Sequence, residues 1–235
     1  MASGKAWVVL QHVAHEESGA IGEALVSTGQ VVSVVRVDRG DPVPRPGEVA
    51  DMAGVVVMGG PMGVHDDEAH PWLAHERDLM AAAVAAELPG LGVCLGAQQL
   101  AVALGGEVTT GPEPEIGIGE VHLTRQAEDD AVFGPVGSTL PCMHWHRDTF
   151  SLPDGSALLA RSELCPHQAF RYGERAYGLQ FHVEITPPLA ARWRPHLPPG
   201  VSMPAVAVAP IDAAGRGLVQ RFVALAQPEG IREDP

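Results

Sequence analysis

One cysteine set between two glycines, in the run Gly92-Val93-Cys94-Leu95-Gly96, is the arrangement in this chain best suited to covalent chemistry. Residues 91–93 are apolar, as a buried strand end would be. Residues 97–104 carry Leu100 and Leu104 four apart and stop at Gly105-Gly106, as a helix would. Cys94 therefore sits at a strand-to-helix turn, in the position of the serine of a nucleophile elbow, where glycines two residues to either side relieve backbone crowding. A helix beginning just after the sulfur aims free N–H groups and the positive end of its dipole at it, which favours the thiolate. Most free cysteines are inert core residues; the paired glycines and the strand-turn-helix setting argue for a nucleophile.

A sulfur nucleophile needs a base, and the base needs a group to orient it. Of the eleven histidines, His182 is the best placed, because it ends an apolar strand-like run and Glu184, two residues on, falls on the same side of an extended chain. The other clusters are poorer. A zinc deaminase reading of His-x-Glu requires a downstream Pro-Cys-x-x-Cys, which this sequence lacks. His144 and His146 place two imidazoles on one strand face with no third ligand at metal spacing, and His65, His70 and His75 do not share a helical face. No metal and no cofactor are expected.

Positioning these groups requires a scaffold. Strand-like runs at 7–10, 31–37 and 55–58 alternate with helix-like runs at 16–27 and 71–88 and then reach the Cys94 turn. That alternation predicts an α/β fold, an open, mostly parallel sheet with helices on both faces, whose ligands bind at the carboxyl ends of the strands. Gly59-Gly60-Pro61 and Cys94 both lie at such ends. From about 107 to 182 shorter β-like runs (116–123, 158–161, 168–172, 176–182) predict a small antiparallel extension of the same domain. Residues 195–210, punctuated by proline, read as a loop, 211–226 as a last helix, and 227–235 as a frayed tail. The expectation is one domain over 1–235.

Composition narrows the function. The formal charge of −14 argues against nucleic acid as a ligand, since phosphate binding needs a basic face. No apolar run is long enough to span a membrane. Three cysteines without Cys-x-x-Cys spacing suit reduced thiols, and the first residues lack the parts of a signal peptide, so a cytoplasmic location is expected.

The segments VVVMGGPMG (55–63), GVCLGAQQLAVALGG (92–106) and AYGLQFHVEITP (176–187), in this order, resemble the three signature blocks of class I, triad-type glutamine amidotransferases, with likeness in particular to the glutaminase domain of GMP synthase. The resemblance covers about 54–190. It implies a flavodoxin-like sheet and a glutaminase with Cys94 as nucleophile, His182 as acid/base and Glu184 as its orienting partner. It also implies backbone N–H groups of Gly60 and Leu95 as the oxyanion hole, and Gln98 beside the bound substrate. The run CMHWHRDTF is similar to a family stretch with a His-Gly-Asp core, which marks His146, Arg147 and Asp148 as substrate-side residues. Val183 stands where many members have proline, and Arg147 where they have glycine; the latter bears on what the pocket accepts.

The chain contains neither a Gly-x-x-x-x-Gly-Lys-[Ser/Thr] loop nor a Ser-Gly-Gly-x-Asp-Ser signature, so ATP chemistry would happen elsewhere or not at all. Three functions fit. The favoured one is a glutaminase feeding ammonia to a separate synthetase or acceptor subunit. The second is a stand-alone hydrolase of another γ-glutamyl amide. The third is a catalytically silent binding module.

Overall fold

The computed structural model describes residues 4–226, so the expected tail at 227–235 lies outside the described residues. In chain order the elements are β1 (Ala6–Gln11), α1 (Gly19–Ser27), β2 (Val31–Arg36), β3 (Met52–Val57), α2 (Trp72–Ala85), β4 (Gly90–Val93), α3 (Leu95–Ala103), β5 (Val108–Leu123), β6 (Thr139–Phe150), β7 (Ala157–Arg161), β8 (Ala169–Tyr172), β9 (Ala176–Leu179), α4 (Pro187–Trp193) and α5 (Ala205–Ala224). They build an α/β fold on a nine-stranded sheet of order β2-β1-β3-β4-β9-β8-β7-β5-β6. Strands β2, β1, β3, β4 and β9 pair in parallel, and β8, β7, β5 and β6 continue the sheet in antiparallel fashion.

Side-chain alternation along β1 explains why helices cover both faces. Trp7 and Val9 pack with Ile21 and Leu25 of α1 and with Leu218 and Phe222 of α5. Val8 and Leu10 point the other way, into the cluster holding Leu79 and Met80 of α2 and Leu100 of α3. Each such aliphatic side chain taken fully out of water contributes about 1.5–3 kcal/mol.

The register sets the functional end of the sheet. Leu10 lies opposite Val57, Val57 opposite Gly92, and Val93 opposite Leu179. Four parallel strands thus stop nearly level, and the chain leaves them at His12, Gly59-Gly60, Cys94 and Gln180.

Several elements depart from the sequence expectation. The first helix starts at Gly19, whose positive φ of 44° turns the chain into it, so Glu16 lies in the preceding loop instead of on the helix. Strand β9 ends at Leu179, three residues before His182. His182 is held instead by reciprocal backbone hydrogen bonds with Met143 of β6, at 2.9 and 3.1 Å. Strand β6 has no clear apolar alternation, and its ladder with β5 makes it regular. α4 is capped by Thr186, whose hydroxyl accepts from the Leu189 N–H at 3.3 Å. α5 begins at Ala205, inside the expected loop, with Pro210 on its exposed side, while Val208 and Ile211 bury against Trp193 and Met203. No helix among the described residues is long and apolar enough to cross a membrane.

Candidate active site

Cys94 occupies a left-handed backbone conformation, φ 52° and ψ −106°, between the end of β4 and the first turn of α3. A non-glycine residue there is strained, by an amount of the order of 1–3 kcal/mol, and the surroundings must hold it. They do so through hydrogen bonds from the Cys94 N–H to the Leu179 carbonyl (2.7 Å) and from the Gly96 N–H to the Met58 carbonyl (3.2 Å). Both flanking glycines are obligatory. A Cβ on Gly92 would sit 2.3 Å from the Gly96 oxygen, and one on Gly96 2.0 Å from the Val57 oxygen.

His182 and Glu184 are buried, and Nδ1 of the imidazole lies 2.7 Å from Oε1 of the carboxylate. The ring stands edge-on to Trp193, which fixes its plane. Burial pulls the imidazole pKa down, but the Glu184 charge and hydrogen bond and the Cys94 side chain outweigh it and hold the pKa well above its usual value. Gly59 touches both partners, since a Cβ there would lie 3.0 Å from His182 Cε1 and 3.5 Å from Cys94 Cβ. Cys94, His182 and Glu184 thus lie together at the carboxyl ends of β4 and β9.

The backbone N–H groups of Gly60 and Leu95 make no hydrogen bond among the described residues, and the Leu95 side chain packs against Gly60. Gln98 is buried, with its amide 3.2 Å from Gln180 Oε1; the Gln180 amide in turn reaches the Cys94 sulfur at 3.7 Å.

The other residues named from the sequence stand farther back. Nδ1 of His146 is 3.1 Å from the Asp148 carbonyl oxygen, and the Asp148 carboxylate accepts the Thr110 hydroxyl at 2.9 Å across the β5–β6 ladder. Gln98 meets Asp148 through the backbone carbonyl, at 3.4 Å. Arg147 is exposed. It alternates with His146 and shares the strand face of Trp145, whose carbonyl accepts from the Cys94 thiol at 3.8 Å.

One sequence expectation needs correction. His144 and His146 do have a third potential ligand, because β5 places Glu115 opposite His146 and the three ligand atoms fall within 4.8 Å of one another. The Glu115 carboxylate already accepts from the Gln168 amide at 2.7 Å and lies 3.3 Å from His146 Nε2. Burial lowers the His144 pKa and raises that of Cys142 beside it.

Four further buried residues belong to this end of the sheet. They are His12, Glu16, Glu76 and Gln180. The Glu16 carboxylate borders Gly59, and burial raises its pKa against the pull of His182. The only local signal for His12 is that it follows an apolar strand, at the end where such sheets bind ligands.

Comparison with known proteins bears on this geometry. A family model described as Glutamine amidotransferase class-I matches residues 17–191. A glutamine amidotransferase-like protein, YfeJ, of Salmonella typhimurium is 36% identical over 178 residues, 74% of each chain. A glutamine-hydrolysing GMP synthase of Porphyromonas gingivalis is 35% identical over 142 residues, 60% of this chain but 26% of that protein. This chain therefore spans about a quarter of the GMP synthase length. The crystal structure of a glutamine amidotransferase from Methylobacillus flagellatus superposes with a TM-score of 0.85 at 30% identity, covering 99% of this chain and 100% of that one. One from Thermotoga maritima gives 0.83 at 27% identity, covering 94% and 98%.

Proposed function

Because the chain belongs to the class-I glutamine amidotransferase family, we propose that it hydrolyses the γ-carboxamide of glutamine through a thioester on Cys94 and passes the ammonia to a separate synthetase. The observation that carries this reading is the linked set at the strand ends, in which a strained elbow cysteine acts on an imidazole bonded to Glu184 at 2.7 Å.

The Cys94 thiolate attacks the carboxamide carbon, and the carbonyl π electrons move onto oxygen. The oxyanion is met by the N–H groups of Gly60 and Leu95, each such donor lowering the barrier by about 2.7–4 kcal/mol. As the oxyanion collapses the C–N bond breaks, and the His182 imidazolium gives its proton to the leaving nitrogen, which departs as ammonia. Water then attacks the γ-glutamyl thioester while His182 takes its proton, and glutamate leaves with return of the thiolate. Glu184 holds the imidazole with Nε2 toward sulfur and stabilises its charge. Gln98 and Gln180 stand beside Cys94, the second within 3.7 Å of its sulfur, and Arg147 extends from the strand face that carries Trp145.

The GMP synthase relatives motivate the partner. There the matching segment is a quarter of a longer protein. The test is glutamate release by the purified chain from glutamine and from a panel of γ-glutamyl alkylamides. Glutamine is expected to be the better substrate, with modest turnover until a partner docks. A preference for alkylamides of about two orders of magnitude in kcat/KM, about 2.7 kcal/mol of transition-state binding, would replace glutamine by a substituted amide.

A further inference from the structure

In the proposed reaction the Gly60 N–H must face the developing oxyanion, yet Gly60 lies outside any helix or strand that would orient its peptide. The structure grips that peptide from its other end. The Gly59 carbonyl oxygen lies 2.7 Å from Nδ1 of His12. Nε2 of the same ring lies 2.9 and 3.2 Å from the two oxygens of Glu76 on α2. Both side chains are wholly buried. The imidazole stacks on Trp72, with centroids 5.1 Å apart and planes at 16°. His12 also packs so close to Gly60 that a Cβ there would meet its Cβ at 3.0 Å.

Both ring nitrogens thus face acceptors, a carbonyl and a carboxylate. A neutral imidazole donates from one nitrogen only, so the ring serves both partners as the imidazolium. Burial opposes that charge, but Glu76, the Gly59 hydrogen bond and, more distantly, Glu16 overcome it and raise the pKa. In a planar trans peptide the carbonyl oxygen and the following N–H point in opposite directions. Holding the Gly59 oxygen therefore aims the Gly60 N–H, and a cationic donor on that oxygen polarises the N–H as well.

We propose that His12, locked by Glu76, is a positioning residue that aims and polarises the Gly60 donor of the oxyanion hole. The inference rests on the glutaminase reading, and the dyad stands apart from the Cys94-His182-Glu184 set. A buried ion pair can also be purely structural, so the test must separate the two roles.

Three measurements on the full chain do so, comparing wild type with His12→Leu, His12→Asn and Glu76→Gln. The first is kcat and KM for glutamine. The second is inhibition by glutamate γ-semialdehyde, to whose carbonyl the Cys94 sulfur adds to give a tetrahedral oxygen in the oxyanion position. The third is alkylation of Cys94 by iodoacetamide, in which sulfur displaces iodide from a saturated carbon and no oxyanion forms. His12→Leu is expected to lower kcat about 10- to 100-fold with KM within about threefold, a fraction of what deleting a donor outright costs. It should weaken the aldehyde by a similar factor and leave alkylation within about twofold. The amide nitrogen of asparagine stands near the place of Nδ1, so His12→Asn should recover about a third or more of the lost kcat on a logarithmic scale. Glu76→Gln should lower kcat about fivefold or more, increasingly as pH rises, and carries the test if His12→Leu does not fold. Alkylation falling in step with kcat, or unchanged kcat and aldehyde affinity in an active wild type, overturns the inference and leaves the glutaminase reading intact. A wild type that hydrolyses neither glutamine nor any γ-glutamyl amide overturns that reading and the inference with it.

Discussion

Replacing Glu184 by glutamine probes the charge balance of the site while keeping its shape. One oxygen of this carboxylate bonds His182 at 2.7 Å, and the other has no partner among the described residues, so the buried charge is devoted to the imidazole. An opposite charge at such a distance moves a pKa by about 1–3 units, and each unit corresponds to about 1.4 kcal/mol. Glutamine therefore removes about 1.4–4 kcal/mol of imidazolium stabilisation. The sign follows from the raised His182 pKa. In the wild type the imidazolium survives to higher pH than a free histidine would allow. In Glu184→Gln it is lost at lower pH, so the alkaline limb of kcat/KM should move down by about 1–3 pH units. Activity at mildly alkaline pH should fall about 10- to 1000-fold, with measurable turnover remaining, because Glu184 orients a proton carrier and carries no proton itself. The assay is a pH profile of glutamate release at subsaturating glutamine. Glu16→Gln is the control, since that carboxylate borders Gly59 as His182 does but makes no hydrogen bond to the ring. An alkaline limb that stays put in Glu184→Gln, or one that moves as far in Glu16→Gln, would refute the assigned pairing.

The remaining predictions concern the thiol and its turn. Cys94 should take up a glutamine-like diazoketone before Cys142 and Cys165, because burial raises the pKa of both of those; peptide mapping that finds the label elsewhere would displace Cys94. Gly96→Ala, which drives a Cβ to 2.0 Å from the Val57 oxygen, should cost about 2 kcal/mol or more of unfolding free energy and abolish turnover. Gly47→Ala, with open space around it, should stay within about 0.5 kcal/mol in the same urea titrations. Equal costs for the two would mean that the elbow is not as tight as its geometry requires.

Much of this site was legible locally because its constraints are local. The strain at Cys94 is relieved by glycines within two residues, and Glu184 reaches His182 from two residues away. Strands β1, β3 and β4 advertise themselves as short apolar runs, since they are buried on both faces. Strand β6 hides because its stretch His144–Asp148 is stabilised by partners such as Glu115 on β5 and Gln168 just before β8, which no window on β6 contains. α4 and the first turn of α5 hide behind prolines, which usually mark loops. In the structure the prolines of α4 fall in its first turn, where a missing N–H does little harm, whereas Pro210 lies inside α5 on its exposed side and removes one helix hydrogen bond, leaving the freed carbonyl to water.

The sequence by itself determined the residue types of the candidate site, the strained turn at Cys94 and the alternation that makes an α/β sheet, because each is written in neighbouring positions. Tertiary structure alone decided how they meet. The parallel pairing of β4 with β9 brings Gln180 to the Cys94 sulfur across 86 positions, and the level ends of β1 and β3 put His12 on the Gly59 carbonyl across 47. The buried His12-Glu76 pair, 64 positions apart, follows from α2 packing over that end of the sheet. Such contacts have no periodicity to betray them. They exist because burying a polar group without a partner is costly, and only the folded sheet supplies the partner.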